Sequence, residues 1–258
     1  MSDPVEIRVR LPASQEAARR AWAPEELRKW LAEYAEPFAF WGRHTPWGDE
    51  PRQRLLHLGD RTLRFSWKVG TEDTTVEVLF EDGALRLSQT TFDGEENGYP
   101  IALVLHVFWA FALGNLVDHL SGRPITPRCD YTRSDLRTEV VIGAPRAEVF
   151  ASLTESQRFS QWFGITVEIE PYAGGRWAIP DGGPIGTVRE VEQGRRLTLQ
   201  EDSCVSTWDL ADDGEGTRLT LALSGYDRPP YTSWTGWLSA VSGLRRYHEL
   251  DDWRPIWE

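Results

Sequence analysis

Histidines are the first residues to consider for chemistry, because their side chains bind metals and transfer protons near neutral pH. The chain contains five, His44, His57, His106, His119 and His248. No two of them have the four-residue spacing on one helix, with a third ligand, that is typical of zinc sites. The sequence therefore predicts no metal site, and no motif in it indicates a cofactor.

His106 is the one histidine with a candidate role in binding or catalysis. It stands alone in the apolar stretch 101–117, three residues before Trp109. Two interpretations stay open: a buried histidine bonded to a neighbouring group, or a side chain that faces a ligand in a cavity. The sequence has no Gly-x-Ser-x-Gly turn and no cysteine with a matching histidine partner. It therefore favours a non-enzymatic protein, with a cyclase- or lyase-like enzyme using His106 as an alternative.

Aromatic residues are the most unusual part of the composition, with 13 Trp against a single Met. Each such side chain buries roughly 150–250 Å². The rings either pack in protein cores or form the walls of a ligand cavity, and core packing is the leading alternative for each. The candidate cavity residues are Trp67, His106, Trp109, Trp177, Trp208, Tyr226, Trp237 and Tyr247.

The charge balance excludes two classes of partner. The formal net charge is −12, and the 28 basic residues are dispersed among 40 acidic ones. Proteins that bind nucleic acid or anionic membranes need clustered Lys and Arg, so neither partner is expected. The apolar stretch 101–117 is also shorter than the ~20 residues of a membrane span.

The first residues and the cysteines predict a cytoplasmic location. The opening segment MSDPVEIRVR lacks the layout of a signal peptide. Cys129 and Cys204 are too few for a disulfide framework, and two free thiols fit a reducing compartment.

The chain repeats itself, which determines the predicted architecture. Trp30 and Trp162 end two similar helical patterns and are 132 residues apart, and Trp109 and Trp237 lie in the central parts of two terminal helices and are 128 residues apart. Between the copies, residues 123–135 are rich in Pro, Gly and polar residues, which is typical of a linker. We therefore predict one domain over residues 1–122, a linker at 123–135, and a second domain over 136–258.

Each copy is predicted to contain a strand, two short helices, a series of strands and one long helix. Alternating apolar residues and acidic-Gly turns such as FEDG predict antiparallel hairpins. The fold class is therefore α+β, with two tandem helix-grip domains, each a curved antiparallel sheet around a long C-terminal helix. Predicted strands lie at 5–11, 38–42, 53–58, 61–69, 74–80 and 84–92 in the first copy, and at 138–142, 165–171, 174–179, 185–192, 195–201, 204–211 and 217–224 in the second.

The first long helix is apolar almost all round, whereas its counterpart at 232–249 is amphipathic. Val104, Phe108, Phe111 and Leu113 are therefore candidates for a surface that the second domain, a protein partner or another subunit covers.

The second copy resembles the activator-of-heat-shock-protein-90-ATPase homologue branch of the START-like superfamily. The segments that carry the resemblance are IGAPRAEVFASLT at 142–154, QWFG at 161–164, YAGGRW at 172–177, IGTVREVEQGRRLTL at 185–199 and TRLTLALSGYD at 217–227. The first copy is similar to a diverged relative that lacks the GGRW turn. The resemblance implies a cavity between sheet and helix that takes lipids, polyketides or other apolar molecules. An apolar small-molecule binder is therefore the leading hypothesis, and a chaperone-associated interaction protein is the alternative.

Overall fold

A computed structural model of the chain describes residues 3–180, 183 and 185–257. These residues form two compact units, each with its own sheets and helices. Unit 1 contains residues 3–132, 231–239 and 256–257, and unit 2 contains the described residues of 133–230 and 240–255. Residues 1, 2, 181, 182, 184 and 258 of the two predicted domains lie outside the described part.

Unit 1 begins with a strand and two short helices, continues through hairpins and reaches a long helix. The elements are β1 (Val5–Arg10), α1 (Gln15–Arg20), α2 (Pro24–Trp30), β2 (Tyr34–Glu36), β3 (Ala39–Trp41), β4 (Gln53–Leu58), β5 (Thr62–Val69), β6 (Glu72–Glu81), β7 (Ala84–Gln89), β8 (Glu95–Glu96), β9 (Tyr99–Pro100) and α3 (Ile101–Leu120).

Buried and more exposed side chains alternate along the central strands, and this pattern explains why these segments form a sheet. Along β5, Leu63, Phe65, Trp67 and Val69 are buried, while the residues between them are at least partly exposed. Because successive side chains point to opposite faces of a strand, this pattern gives the sheet one apolar face. That face holds the core of unit 1.

The main sheet of unit 1 has the strand order β1-β7-β6-β5-β4, with β1 and β4 at its edges. The two edges differ. Trp257 forms a bridge with Val9 of β1, and Arg10 N donates to the carbonyl oxygen of Ile256 (2.8 Å). The edge at β4 instead carries exposed leucines at 55, 56 and 58. One edge is therefore covered by the end of the chain, and the other presents apolar side chains to solvent.

A buried chain of hydrogen bonds joins α3 to the sheet. Trp109 Nε1 donates to Gln89 Oε1 (2.6 Å), Gln89 Nε2 donates to Thr74 Oγ1 (2.8 Å), and Thr74 Oγ1 donates to the carbonyl oxygen of Trp67 (2.8 Å). All four residues are almost completely buried. The chain gives the Trp109 indole, the Gln89 amide and the Thr74 hydroxyl a buried partner each, whereas the indole Nε1 of Trp67 is buried and has no acceptor among the described residues.

Residues 123–131, which we call the covering segment, lie against α3. The side chain of Asn115 in α3 makes two hydrogen bonds with the backbone of Thr126. Its Nδ2 donates to the carbonyl oxygen (3.0 Å), and its Oδ1 accepts from the backbone N–H (3.1 Å). Further along, His44 Nδ1 donates to the carbonyl oxygen of Cys129 (2.8 Å). Residues 123–131 of the predicted linker therefore pack against unit 1, while residues 133–135 belong to unit 2.

This arrangement also explains the apolar character of α3. Val104, Phe108, Phe111 and Leu113 are all buried, and Phe108 and Phe111 lie close to Cys129 of the covering segment. By length and composition the helix is long and apolar enough to cross a membrane, but 72% of its most apolar window is buried inside the protein. In the structure, α3 is the central buried helix of unit 1.

Unit 2 repeats the same order of elements. They are β10 (Arg137–Ile142), α4 (Arg146–Thr154), α5 (Ser156–Phe163), β11 (Glu168–Ile169), β12 (Arg176–Ala178), β13 (Ile185–Glu192), β14 (Arg196–Glu201), β15 (Cys204–Asp213) and β16 (Gly216–Ser224), followed by α6 (Tyr231–Glu249), whose first nine residues belong to unit 1. The sheet order is β10-β16-β15-β14-β13-β12-β11. In the main sheet of each unit the first strand pairs with the last strand of that sheet, β1 with β7 and β10 with β16, and the remaining strands of the sheet follow as an antiparallel meander.

The turn before β12 needs its two glycines for different reasons. Gly174 has φ +89°, a backbone conformation that costs glycine little. A Cβ on Gly175 would lie 2.1 Å from the carbonyl oxygen of Glu170, so no side chain fits there. The prediction that GGRW forms a tight turn is confirmed.

The predicted fold class is confirmed: each unit is α+β, with a large antiparallel sheet and helices of the helix-grip arrangement. Most predicted strands agree with the structure to within a few residues. The predicted strand at 165–171 is wrong in length, since only Glu168 and Ile169 pair there. The short pairs β2–β3 and β8–β9 were only partly predicted, because strands of two or three residues leave little alternation to detect. Duplication of one ancestral domain stays a prediction, as do its boundaries at 122 and 136.

We expect Gln89→Leu to lower the free energy of unfolding by about 1–3 kcal/mol, because the Trp109 indole N–H and the Thr74 hydroxyl would stay buried with one partner fewer. Ser88→Ala, on the same strand but half-buried on the other face, is the control and is expected to change it by less than about 0.5 kcal/mol. Chemical denaturation of both variants measures the difference. Equal stability of the two would show that the hydrogen-bond chain does not stabilise the fold.

Candidate functional site

An apolar pocket of about 280 Å³ lies in unit 1 between the short helices and the sheet. Its lining comes from the α1–α2 region, the β2–β3 hairpin and strands β4 to β6. The lining residues are Arg19, Arg20, Trp22, Ala23, Pro24, Leu27, Pro37, Phe38, Phe40, Leu58, Leu63, Phe65 and Phe80. We call this cavity the apolar pocket.

The local sequence explains why α1 and α2 are separate helices with a break between them beside the apolar pocket. Helix α1 ends at Arg20, and Pro24 starts α2 at the position where its missing N–H costs nothing. Trp22 and Ala23 fall in the break between the helices, so neither is held on a helical face. Trp22 turns into the core, where its ring lies 5.5 Å from Trp30 between centroids.

A large aromatic cluster separates the apolar pocket from α3. Trp67 lies 5.7 Å from Trp109 and 5.5 Å from Phe108, and Trp22 lies 6.1 Å from Trp109, in each case between ring centroids. These spacings are typical of favourable edge-to-face and tilted contacts. The cluster comprises Trp22, Trp30, Phe40, Trp47, Phe65, Trp67, Phe80, Phe108 and Trp109. Rings therefore fill the space between the sheet and α3 that the sequence analysis assigned to a cavity.

Phe38 forms part of the pocket wall and has a strained backbone conformation. It follows Pro37 in the β2–β3 turn and has φ +69°. Proline followed by a residue of positive φ is the pattern of a type II turn, in which the second position normally holds glycine. A bulky residue there costs about 1–3 kcal/mol. The ring that this backbone holds is part of the pocket lining, so a strained position and a cavity wall coincide.

The charged residues of the pocket lining are all at the end of α1. Arg19 and Arg20 are exposed and end α1, while the other lining residues are apolar. Arg20 Nη1 is 3.3 Å from Glu16 Oε1. Trp22 adds one more polar atom, an indole Nε1 that is buried and has no acceptor among the described residues.

None of the eight candidate cavity residues lines the apolar pocket. Trp67 and Trp109 are fully buried and contact each other in the aromatic cluster. Trp177 and Trp208 are buried in unit 2. Whether any of the eight binds a ligand stays a prediction.

The remaining four candidates lie apart from these cores. His106 is exposed on α3, so the interpretation of a buried histidine is wrong. Tyr226 donates its hydroxyl hydrogen to the carbonyl oxygen of Ser134. Tyr247 donates to Gln161 Oε1 (3.2 Å), and Trp237 is half-buried.

Neither cysteine of the chain is a reactive nucleophile, and neither lines the apolar pocket. Cys129 and Cys204 are both free thiols. Burial raises the pKa of the Cys129 thiol to about 12 and also raises the pKa of Cys204 above its ordinary value. Because the thiolate is the nucleophile, neither side chain is activated at neutral pH. Among the described residues, no group of three or more His, Cys, Asp or Glu side chains is placed to hold a metal ion.

Sequence reasoning missed the residues that form the apolar pocket. The interruption between α1 and α2 was visible at Pro24, but it gave no sign that a cavity lies behind it. The one usable signal was Phe38 after Pro37, where a turn would normally place glycine. A second pocket of unit 1, of about 170 Å³, is lined partly by polar residues such as Glu96 and Thr235. The apolar pocket is larger and is the better candidate for a ligand site.

Comparison with known proteins gives one family match. The model of the family described as Activator of Hsp90 ATPase homolog 1-like protein matches residues 143–249. That range contains none of the residues that line the apolar pocket. No match was found among curated proteins.

Three of the solved structures to which the chain is similar illustrate the extent of the likeness. A conserved protein of unknown function from Enterococcus faecalis is 23% identical, covers 46% of this chain and 74% of its own, and has a TM-score of 0.41. CalU16 from Micromonospora echinospora is 24% identical over 46% of this chain and 76% of its own, with a TM-score of 0.40. DynU16, from the dynemicin biosynthetic locus, is 18% identical over 96% of this chain and 100% of its own, with a TM-score of 0.39. TM-scores below 0.5 do not support a transfer of function.

We expect Phe38→Gly to change the free energy of unfolding by less than about 1.5 kcal/mol, because the relief of backbone strain offsets the lost burial of a partly exposed ring. Phe40→Ala is the comparison, since Phe40 is fully buried against Phe65, Trp67 and Trp109. That variant should lose about 3–5 kcal/mol. Chemical denaturation distinguishes the two, and an equally large loss for Phe38→Gly would show that the turn is not strained.

Proposed function

We propose that the chain is a START-like protein whose unit 1 binds an apolar small molecule. The match of residues 143–249 to the family described as Activator of Hsp90 ATPase homolog 1-like protein supports the START-like part of this proposal. The observation that supports this proposal is the apolar pocket, about 280 Å³ in volume and lined chiefly by aromatic and aliphatic side chains. Ligand sites are typically concave and mostly apolar, with a few polar groups, and measure roughly 300–1,000 Å³. The volume of the apolar pocket lies just below that range, which favours a small ligand.

The lining explains how such a ligand would be held. Phe65 and Phe80 are fixed on adjacent strands and buried, and Phe40 packs edge-to-face on Phe65 at 6.0 Å between centroids. Rigid rings lose little side-chain entropy when a ligand arrives, so more of the burial energy appears as affinity. Each methylene buried contributes about 0.8 kcal/mol. A ligand with a short alkyl chain or a small ring system could therefore bind without any reaction.

Strain at Phe38 supports the same role. A strained backbone persists only when its surroundings enforce it, and such positions cluster at ligand sites. We propose that this cost is kept because the ring completes the pocket wall. The two free thiols fit a cytoplasmic location for this binding protein.

We expect the full-length protein to bind decan-1-ol more tightly than octan-1-ol by roughly tenfold or more, because two more methylenes are buried. Leu58→Asp should weaken decan-1-ol binding by about tenfold, since it removes an apolar wall and adds charge at the pocket. Isothermal titration calorimetry measures both effects.

Leu56→Asp is the matched control for that experiment. Leu56 is on the same strand and is similarly exposed, 44% against 42%, but it does not line the apolar pocket. This variant should bind decan-1-ol as the unaltered protein does. Absence of alcohol binding, or equal weakening by both substitutions, would refute the proposal.

A second candidate function is that of an interaction protein acting on a chaperone ATPase, as the description of the matched family says of its members. The exposed leucines of β4 support it, because an uncovered edge strand with apolar side chains is a surface to which an extended peptide can add. Leu55, Leu56 and Leu58 would then contact the partner.

If this second function holds, the purified chain should raise the ATPase rate of its host's Hsp90-type chaperone at least twofold, and Leu56→Asp should abolish the increase because it places a charge at the contact. A steady-state ATPase assay measures the rate, and Arg86→Gln, an exposed substitution outside β4, should leave the increase intact. An unchanged rate with excess protein would exclude this function without affecting the proposal of small-molecule binding.

A further inference from the structure

We infer that the molecule bound in the apolar pocket is an apolar carboxylic acid whose carboxylate pairs with the guanidinium group of Arg19. This inference rests on the proposed function, since it requires that the apolar pocket binds a small molecule. It adds the chemical class of the ligand and the orientation in which it binds.

The charges around the apolar pocket are of one sign. Arg19 and Arg20 are the charged members of its described lining, and no aspartate or glutamate is among them. The whole chain has 40 acidic and 28 basic residues, so its surface is otherwise mainly acidic. A pocket lined in this way favours an anion and disfavours a cation, because interactions across a partly apolar site are screened less than those in water.

The two arginines differ in their existing partners. Arg20 already pairs with Glu16 one helical turn earlier, at 3.3 Å. In the described part of the chain, no ion pair or side-chain hydrogen bond occupies the guanidinium of Arg19. An arginine stays charged at every physiological pH and offers donors that match a carboxylate in a planar, two-bond geometry. Arg19 is therefore the available cation.

The distribution of polar and apolar residues sets the orientation of the ligand. Phe65 and Phe80 are almost completely buried, whereas Arg19 is exposed at the end of α1. The tail of an amphipathic acid would lie among the rings, while its carboxylate stays at the side open to water. Because the carboxylate would not be fully dehydrated, the cost of burying a charge is small. The gain from an exposed ion pair is correspondingly modest.

The experiment compares three ligands that share a ten-carbon chain: decanoate, decan-1-ol and decylammonium. Calorimetric titration of the full-length protein at pH 7.5 gives the affinities, with decanoate and decylammonium below their critical micelle concentrations and decan-1-ol below its solubility limit. We expect decanoate to bind about three- to tenfold more tightly than decan-1-ol, and decylammonium to bind more weakly than the alcohol. Raising the salt concentration to 0.5 M should reduce the preference for the acid, because salt screens an exposed ion pair.

Arg19→Gln tests the named residue, and Arg86→Gln, which removes an exposed positive charge of unit 1 away from the apolar pocket, is its control. Arg19→Gln should reduce decanoate affinity to that of decan-1-ol, whereas Arg86→Gln should keep the preference. If decan-1-ol binds but decanoate shows no advantage, or if both variants keep the advantage, this inference is wrong and the proposed function stands. If neither ligand binds the unaltered protein, the proposed function fails as well.

Discussion

The contact between Trp67 and Trp109 is the interaction on which unit 1 depends. The two rings meet edge-to-face between the sheet and α3. The indole N–H of Trp109 starts the hydrogen-bond chain through Gln89 and Thr74 that returns to the backbone of Trp67. The ring contact and the hydrogen-bond chain therefore join the same two residues, and together they set the distance between α3 and the sheet. Rings already fill that space, and the apolar pocket lies nearer to the short helices.

Much of the fold could be predicted from sequence because it depends on periodic patterns. The alternation in β5 and the glycine turn at Gly174 and Gly175 each have a direct physical meaning. The candidate site could not be predicted in the same way. Tryptophan is equally suited to a core and to a cavity wall, and alternation does not say which rings meet. Trp67 points inward as expected, but whether it borders empty space or another ring depends on Trp109, which is distant in sequence. The apolar pocket depends likewise on a break between helices and on one strained turn.

The family match and the apolar pocket lie in different parts of the sequence. Residues 143–249 carry the family pattern, whereas the pocket is built from residues 19–80. The main sheet of unit 1 has five strands and that of unit 2 has seven, although both sheets begin with the pairing of the first strand and a later one. Because a fold can host several functions, the apolar pocket of unit 1 need not serve the role of the family that residues 143–249 match.

Unit 1 is not continuous in sequence, and this has a consequence for how the protein is made. Residues 231–239 belong to it, and Ile256 and Trp257 cover the outer edge of β1 by backbone pairing with Arg10 and Val9. During synthesis these pieces leave the ribosome more than a hundred residues after α3 has emerged. The edge of β1 therefore stays open while the rest of the polypeptide is translated. In that interval the nascent chain exposes a strand edge that the folded protein conceals, and an uncovered edge can pair with another chain.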